Sequence, residues 1–229
     1  MKVYLVLIFF CFFYSAIQAQ NLAEDLMQIQ RVHSGDKQFS YKMKIVYGDR
    51  KTNSLIDSSF GEYSFYKRKY FVSLEGIKSV SDGNVLVSVN EEMKGILVSK
   101  ASADARKQVS FNFLDSVIVN SKIISKIVFN KNNTRTYTLY SVSDAIDSIR
   151  ISFNTERFTL KLISVYYNTP INDLYDYIPI VKYEYSDYLF SDVELKDKYN
   201  VNKYLNITNS VVQLTPKYKK YSLINHLRF

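Results

Sequence analysis

Cysteine is almost absent from this chain. The one thiol, Cys11, lies in an apolar N-terminal stretch, residues 1–19, that we expect to be cleaved off. The bulky residues before it argue against a lipid-acceptor cysteine. The mature chain then has no thiol, which excludes disulfides and thiol catalysis. About 200 residues are enough to bury a core, so the sequence predicts a domain held together by packing alone.

The signatures of familiar enzymes are missing as well. The sequence contains no G-x-S-x-G, no H-E-x-x-H and no phosphate-binding loop, and its six glycines stand singly. Its two histidines, His33 and His226, lie near the ends of the mature chain. We therefore expect no catalytic residue, no cofactor and no metal site. A hydrolase of an unfamiliar type would need a cleft that holds a base of shifted pKa.

A long hydrophobic run occurs only at the N-terminus. Lys2 supplies a positive start, Val3 to Tyr14 form the apolar core, and Ala16 and Ala19 are small residues suited to a peptidase. The run is too short to span a bilayer comfortably, and no later window is long enough. We interpret residues 1–19 as a signal peptide, residues 20–229 as one domain, and the destination as the periplasm or the exterior, without a transmembrane anchor.

Acidic residues are outnumbered, and the formal net charge is +8. The densest basic run is Lys217, Lys219 and Lys220, and a smaller one lies at residues 67–69. Neither forms the continuous stripe with aromatic platforms that is typical of nucleic-acid binding, so we expect no nucleic-acid partner. The runs indicate either a solvated surface or a weak attraction to anionic lipid headgroups.

Hydrophobic residues of the mature chain recur with two different spacings, one helical and one of two residues. Asn21 to Val32 predicts a helix, because Leu22, Leu26 and Ile29 recur at helical spacing. From Phe39 the period changes to two, which predicts a strand. The alternation returns in nine later segments: Tyr63–Lys67, Tyr70–Leu74, Val85–Val89, Ile96–Ser99, Ile123–Phe129, Tyr137–Val142, Ile149–Phe153, Phe158–Tyr167 and Val181–Leu189.

Short turns separate these strands, and Asp82-Gly83 predicts a hairpin between Ile77–Val80 and Val85–Val89. Such spacing favours antiparallel pairing. Ser110–Asn120 is a second helix candidate, with a strand as the alternative, and Asp192–Tyr199 is a weaker third. The predicted fold class is α+β: a large antiparallel, strongly curved half-barrel sheet wrapped over one or two helices.

The order of these elements resembles the periplasmic lipoprotein-carrier superfamily with the LolA/LolB-like fold, from Leu22 to Leu205. The segments that carry the resemblance are, in order, the opening helix, Tyr41-Lys-Met43-Lys-Ile45, Gly61-x-Tyr63-x-Phe65, Tyr70-Phe71-Val72, Asp82-Gly83, Phe111–Ile118, Phe158–Tyr167, Tyr183–Tyr188 and Asp197-Lys-Tyr199. The resemblance implies an incomplete antiparallel barrel that wraps over helices and encloses an apolar cavity. It implies a non-catalytic carrier or chaperone for a lipid or for lipoprotein acyl chains.

Apolar residues of the alternating segments are the candidates for such a cavity. The candidates are Met43, Ile45, Phe65, Val72, Val85, Val87, Phe113 and Val117. A barrel face lined in this way binds acyl chains by removing them from water, and tyrosine phenols at its rim suit a headgroup. An ordinary filled core is the alternative for each residue. The alternative function is a cell-envelope module that holds a protein partner through the outer sheet surface and the tyrosine-rich 166–188 region.

Overall fold

The opening helix predicted from the sequence is present. A computed structural model of the chain describes residues 22–33, 37–102, 126–130 (backbone only), 133–140, 143–170, 177–209 and 211–227. Helix α1 spans residues 22–33 and buries Leu22, Leu26 and Ile29, whose spacing predicted it. His33 ends the helix, and its Nδ1 donates a hydrogen bond of 2.7 Å to the Ile29 carbonyl oxygen. None of the described helical segments combines the length and the apolar composition needed to cross a membrane.

Fourteen strands make up most of the described chain. They are β1 (Gln38–Asp49), β2 (Leu55–Tyr66), β3 (Lys69–Leu74), β4 (Ile77–Ser81), β5 (Val85–Asn90), β6 (Gly95–Lys100), β7 (Lys126–Asn130), β8 (Thr134–Tyr140), β9 (Ile146–Asn154), β10 (Thr159–Tyr167), β11 (Pro179–Ser191), β12 (Leu205–Thr208), β13 (Val211–Leu214) and β14 (Ser222–Asn225). Short 3-10 helices lie at Lys196–Tyr199, Val201–Lys203 and Pro216–Tyr218. The first of them lies within the predicted third helix.

Twelve of the strands form one sheet. Their order is β14-β6-β5-β4-β3-β2-β1-β11-β10-β9-β8-β7, and β12 pairs with β13 in a separate hairpin. Strands β2 to β6 pair antiparallel in sequence order, as do β7 to β11. Strand β14 runs parallel to β6. The sheet is not closed, since β14 and β7 are its outermost strands, and the predicted α+β class of the open half-barrel type is confirmed.

The predicted Asp82-Gly83 hairpin is present between β4 and β5. Asp82 Oδ1 accepts hydrogen bonds from the backbone N–H groups of Asn84 and Val85, at 2.8 and 2.9 Å. Gly83 has φ +98°, a conformation that side chains with a Cβ rarely adopt. Turn chemistry therefore sets the register of this pair.

The chain divides into two compact units. The described residues of the first are 22–33, 44–58, 126–130, 133–140, 143–170 and 177–185. Within it, α1 packs on buried side chains of β8, β9 and β10, which alternate along each strand. The buried cluster consists of Leu22, Leu26, Ile29, Tyr137, Leu139, Ile149, Ile151, Phe153, Leu160, Ile163 and Val165. This is the helix-on-sheet core that the alternation predicted.

The described residues of the second unit are 37–43, 59–102, 186–209 and 211–227, and this unit has a core of its own. There the chain after β11 packs on one face of β4, β5 and β6. The cluster consists of Val80, Val87, Val89, Ile96, Val98, Val201, Tyr204, Leu205 and Tyr218. Sequence reasoning did not predict β12, β13 or β14, nor that the C-terminal segment covers a sheet face.

Several predictions concern parts of the chain outside the described residues. These are the signal peptide, residues 1–19, and the second helix candidate, residues 110–120, with Phe113 and Val117. All of them stay predictions.

Candidate functional site

Strand pairing in the second unit fixes which side chains share a face. Residues directly opposite in an antiparallel pair point to the same side of the sheet. Tyr63 lies opposite Val72, Val72 opposite Ser79, Ser79 opposite Ser88 and Ser88 opposite Leu97. This row crosses five strands on one face.

Two parallel rows complete that face. One contains Phe65, Tyr70, Ser81, Leu86 and Ser99; the other contains Gly61, Leu74, Ile77, Asn90 and Gly95. None of these positions on β2 to β6 carries a charged side chain. Among the paired positions, which begin at Gly61 on β2, the charged residues lie at the other parity: Glu62, Lys69, Lys78 and Lys100. We call this surface the uncharged face.

The uncharged face is buried in one part and partly exposed in another. The buried side chains are Tyr63, Phe65, Tyr70 and Ser81, whereas Val72, Leu74 and Leu86 are half-buried. Leu97 on β6 is 38% exposed. Ser79 and Ser88 form a hydrogen bond to each other at 2.9 Å, which satisfies part of their polar capacity within the sheet. The exposed part of the face thus consists of aliphatic and small hydroxyl side chains.

Six aromatic rings lie together at the β2 end of this face. They are Phe39, Tyr41, Tyr63, Phe65, Tyr188 and Phe190. Tyr41 stacks on Tyr63 with centroids 5.0 Å apart, and Phe39 contacts Phe190 at 5.1 Å. Asp187 has φ 52° within β11, and this local irregularity precedes Tyr188 and Phe190. We call these rings the aromatic cluster.

The opposite face is filled. Gln38, Ser64 and Tyr199 form a buried hydrogen-bonded network there, because Gln38 Nε2 donates to Ser64 Oγ at 2.9 Å and the Tyr199 hydroxyl donates to Gln38 Oε1 at 2.8 Å. Lys198 Nζ donates to Glu62 at 2.5 Å and lies 5.3 Å from the centre of the Phe71 ring. These contacts fix the C-terminal segment on the sheet.

The predicted cavity residues fall on both faces. Phe65 and Val72 lie on the uncharged face. Met43 lies on the same side of β1 as Phe39 and Tyr41, two rings of the aromatic cluster. Ile45 occupies the same parity of β1 as Met43 and is buried. Val85 and Val87 lie on the opposite, filled face: Val87 belongs to its buried cluster, and Val85 packs against that cluster. One ligand on one face therefore does not contact all of these residues, and their roles stay predictions.

Sequence reasoning missed Ser79, Leu86, Ser88 and Leu97. The signal for them was available in the alternation, since from Gly61 to Lys100 the strands carry charged side chains at only one of their two parities. Within the tyrosine-rich 166–188 region, Tyr167, Tyr183 and Tyr185 pack against the core of the first unit, and a role of this region in holding a partner stays a prediction.

The titratable side chains on the three rows of the uncharged face are the phenols of Tyr63 and Tyr70. Burial raises the pKa of Tyr70, so its hydroxyl stays protonated in the neutral range. No group of three or more His, Cys, Asp or Glu residues within the described ranges is arranged to hold a metal ion. The chemistry of the face is hydrophobic contact with hydroxyl hydrogen bonds.

No protein-family model matches this sequence, and no curated protein matches it. Several solved structures are similar in fold. An uncharacterized conserved protein from Thermus thermophilus is 6% identical, with 90% of this chain and 99% of that chain covered and a TM-score of 0.46. A LolA-superfamily protein from Nitrosomonas europaea is 9% identical, with 79% and 97% covered and a TM-score of 0.36.

A chain of the MucA/MucB complex of Pseudomonas aeruginosa is 8% identical, with a TM-score of 0.39. That match covers 85% of this chain and 63% of the other. A LolA-superfamily structure is thus among those to which this chain is similar.

Proposed function

We propose that this protein is an exported, non-catalytic carrier or chaperone that binds a hydrophobic ligand, a lipid or a lipoprotein acyl chain, on the uncharged face. One observation carries the proposal. Three rows of paired positions across β2 to β6 have no charged side chain, and Val72, Leu86 and Leu97 on them stay partly exposed, while the opposite face of β4 to β6 is filled by the protein's own C-terminal segment.

Hydrophobic burial supplies the affinity. At roughly 25 cal/mol per Å², about 300 Å² of acyl surface removed from water gives roughly 7 kcal/mol before the cost of immobilising the ligand. The aromatic cluster forms an apolar surface at the β2 end of the uncharged face. Serine side chains at the centre are small, which leaves room for a chain to lie against the sheet. A polar headgroup would meet tyrosine hydroxyls at the edge of the cluster.

Export is part of the same proposal. Residues 1–19 have the pattern of a signal peptide, and a protein that meets acyl chains between membranes needs to reach that compartment. Because the predicted mature sequence has no thiols, it is compatible with an oxidising or a reducing compartment.

The test uses 11-dansylaminoundecanoic acid, a fluorescent fatty-acid analogue, titrated into the delipidated protein. The double substitution Val72→Gln and Leu97→Gln places two amides on the uncharged face, and we expect about tenfold weaker binding. Ile207→Gln is the matched control, because Ile207 is 37% exposed and lies on the C-terminal hairpin, against 38% for Leu97. Binding that is unchanged in the double variant, or that weakens equally in the control, would refute the proposed face.

Native mass spectrometry of protein purified without detergent provides an independent measurement. A co-purified lipid that is present in the wild type and lost in the double variant supports a carrier. A ligand-free protein that instead forms a stoichiometric complex with an envelope protein supports the interaction module.

A further inference from the structure

The uncharged face continues onto the outermost strand, β14. Strand β14 pairs with β6 in parallel, and in that register Ile224 lies beside Leu97. Leu223, the preceding residue, packs against the buried cluster of the filled face, so alternation directs Ile224 to the uncharged face. The middle row of this face therefore crosses six strands. Its members are Tyr63, Val72, Ser79, Ser88, Leu97 and Ile224.

Exposure rises along the middle row from the aromatic cluster to the edge of the sheet. Tyr63 is 6% exposed, the positions on β3 to β5 are half-buried, and Leu97 and Ile224 are 38% and 55% exposed. One neighbouring row differs, because Tyr70 and Ser81 on it are buried. The middle row thus has a buried end at the aromatic cluster and an exposed end at β14, which is an outermost strand of the sheet.

The centre of the middle row is low and is bordered by larger side chains. Ser79 and Ser88 are its smallest members, and their mutual hydrogen bond of 2.9 Å reduces the cost of covering them with an apolar ligand. Ile77 on β4 and Leu86 on β5 lie in the two outer rows, on opposite sides of the serines. An apolar chain that crosses the strands over the serines therefore has an aliphatic side chain on either side.

The dimensions of the face favour a chain that lies across the strands. Neighbouring strands lie about 4.8 Å apart, so the middle row spans about 19 Å from Val72 to Ile224 and about 24 Å from Tyr63. Along the strands, the three rows together span only about 13 Å. An extended hydrocarbon advances about 1.25 Å per carbon, because each C–C bond of about 1.5 Å is inclined to the chain axis. The middle row therefore matches about 15 to 19 carbons.

We infer that one unbranched acyl chain lies across the strands along the middle row, with one end at the aromatic cluster, and that Ile224 marks the chain length at which affinity stops rising. The inference rests on the proposed function, because it gives the length and direction of the ligand of the same face. Each half-buried methylene adds about twofold in affinity as far as Ile224. A chain fills the row from the aromatic cluster, where burial is greatest, and any part of it beyond β14 stays in water.

Displacement of 11-dansylaminoundecanoic acid from the delipidated protein tests the inference. The competitors are saturated fatty acids of about 8 to 22 carbons, each below its critical micelle concentration. We expect affinity to rise about twofold per carbon, and then to level off at about 15 to 19 carbons.

The substitution Ile224→Gln distinguishes long chains from short ones. We expect it to weaken the binding of the longest acids about threefold and to leave acids of about 10 carbons unaffected, because these do not reach β14. Val72→Gln, near the aromatic cluster, should weaken acids of every length. Val211→Gln is the matched control for Ile224→Gln, since Val211 is 54% exposed and lies on the separate hairpin, and it should change none of the affinities.

Three results would overturn the inference while the proposed face stands. They are affinity that does not depend on chain length, affinity that keeps rising beyond about 20 carbons, and an Ile224→Gln effect that is equal for short and long acids or equalled by Val211→Gln. Failure of the proposed function is distinct. In that case no acid displaces the probe, or the Val72→Gln and Leu97→Gln double variant binds every acid as the wild type does.

Discussion

At the residue scale, one buried carboxylate ties the helix to the sheet in the first unit. Asp25 on α1 accepts hydrogen bonds from Arg135 Nη1 at 2.5 Å and from the Tyr137 hydroxyl. Burial, and then the bond to Asp25, raises the pKa of Tyr137, which keeps the phenol protonated as a donor. An interior carboxylate is stable only with such partners.

Tyr137→Phe preserves the ring and removes one donor from Asp25. We expect it to lower the free energy of unfolding by about 1–3 kcal/mol, because a buried charged acceptor loses a hydrogen bond. Tyr140→Phe, the same change at an exposed position of the same strand, should cost less than about 0.5 kcal/mol. Urea unfolding at neutral pH measures both, and equal effects would contradict the role of the buried bond.

The lowered pKa of Glu91 predicts that the stability of the protein depends on pH. Hydrogen bonds from Tyr221 and then Lys78 lower its pKa in the folded state. The stability that it contributes is therefore present above the ordinary glutamate pKa, about 4.3, and is lost as pH falls through the lower folded value. Glu91→Gln should unfold at lower urea than the wild type at pH 7, and the gap should narrow at about pH 3. A gap that is constant with pH would exclude this contribution.

At the element scale, β2 depends on a glycine beside the aromatic cluster. A Cβ at Gly61 would lie 2.8 Å from the Tyr63 ring, 3.3 Å from the Leu74 side chain and 3.3 Å from the Ser73 carbonyl oxygen. The Tyr63 ring stacks on Tyr41, so it does not move aside without losing that contact.

Gly61→Ala should therefore destabilise the protein by about 1–3 kcal/mol through overpacking. Gly95→Ala is the matched control, since its Cβ would meet only Ser222 Oγ at an ordinary 3.6 Å. At Gly95, alanine reduces the backbone freedom of the unfolded chain, so Gly95→Ala should be neutral or stabilising. Thermal unfolding of the two variants distinguishes them, and a tolerated Gly61→Ala would show that the ring has room to shift.

At the scale of the whole molecule, the C-terminal segment is part of the core of the second unit. It contributes Val201, Tyr204, Leu205 and Tyr218 to the cluster that covers β4 to β6. Burying a large apolar side chain is worth about 1.5–3 kcal/mol, so loss of the four is on the order of 10 kcal/mol, which is comparable to the stability of a domain.

A chain that ends after Asp192 should therefore fail to unfold cooperatively and should bind a hydrophobic dye such as 1-anilinonaphthalene-8-sulfonate. A chain that ends before Ser222 loses β14 but keeps the four residues, and it should remain folded with reduced stability. Cooperative unfolding of the chain that ends after Asp192 would show that β4 to β6 are stable without the C-terminal segment.

Much of the fold was predictable because its signals are local. The stripe of Leu22, Leu26 and Ile29 predicted α1, and the alternation predicted strands such as β5 and β9. The sequence predicted an apolar binding surface, but only some of the residues predicted to line it lie on the uncharged face. Phe65 and Val72 lie on the uncharged face, whereas Val85 and Val87 lie on the filled one. Alternation assigns each residue to one of two sides of its own strand, and register across strands decides which sides coincide.

The sequence by itself determined α1 and the strands of the alternating segments, the Asp82-Gly83 turn, the absence of thiols from the predicted mature chain, and the absence of charge from one parity of β2 to β6 beyond Ser59. These properties follow from residue type and short-range spacing. Only the tertiary structure decided which apolar face is filled, because residues 195–221 are distant in sequence from the strands they cover. The same packing leaves part of the uncharged face exposed.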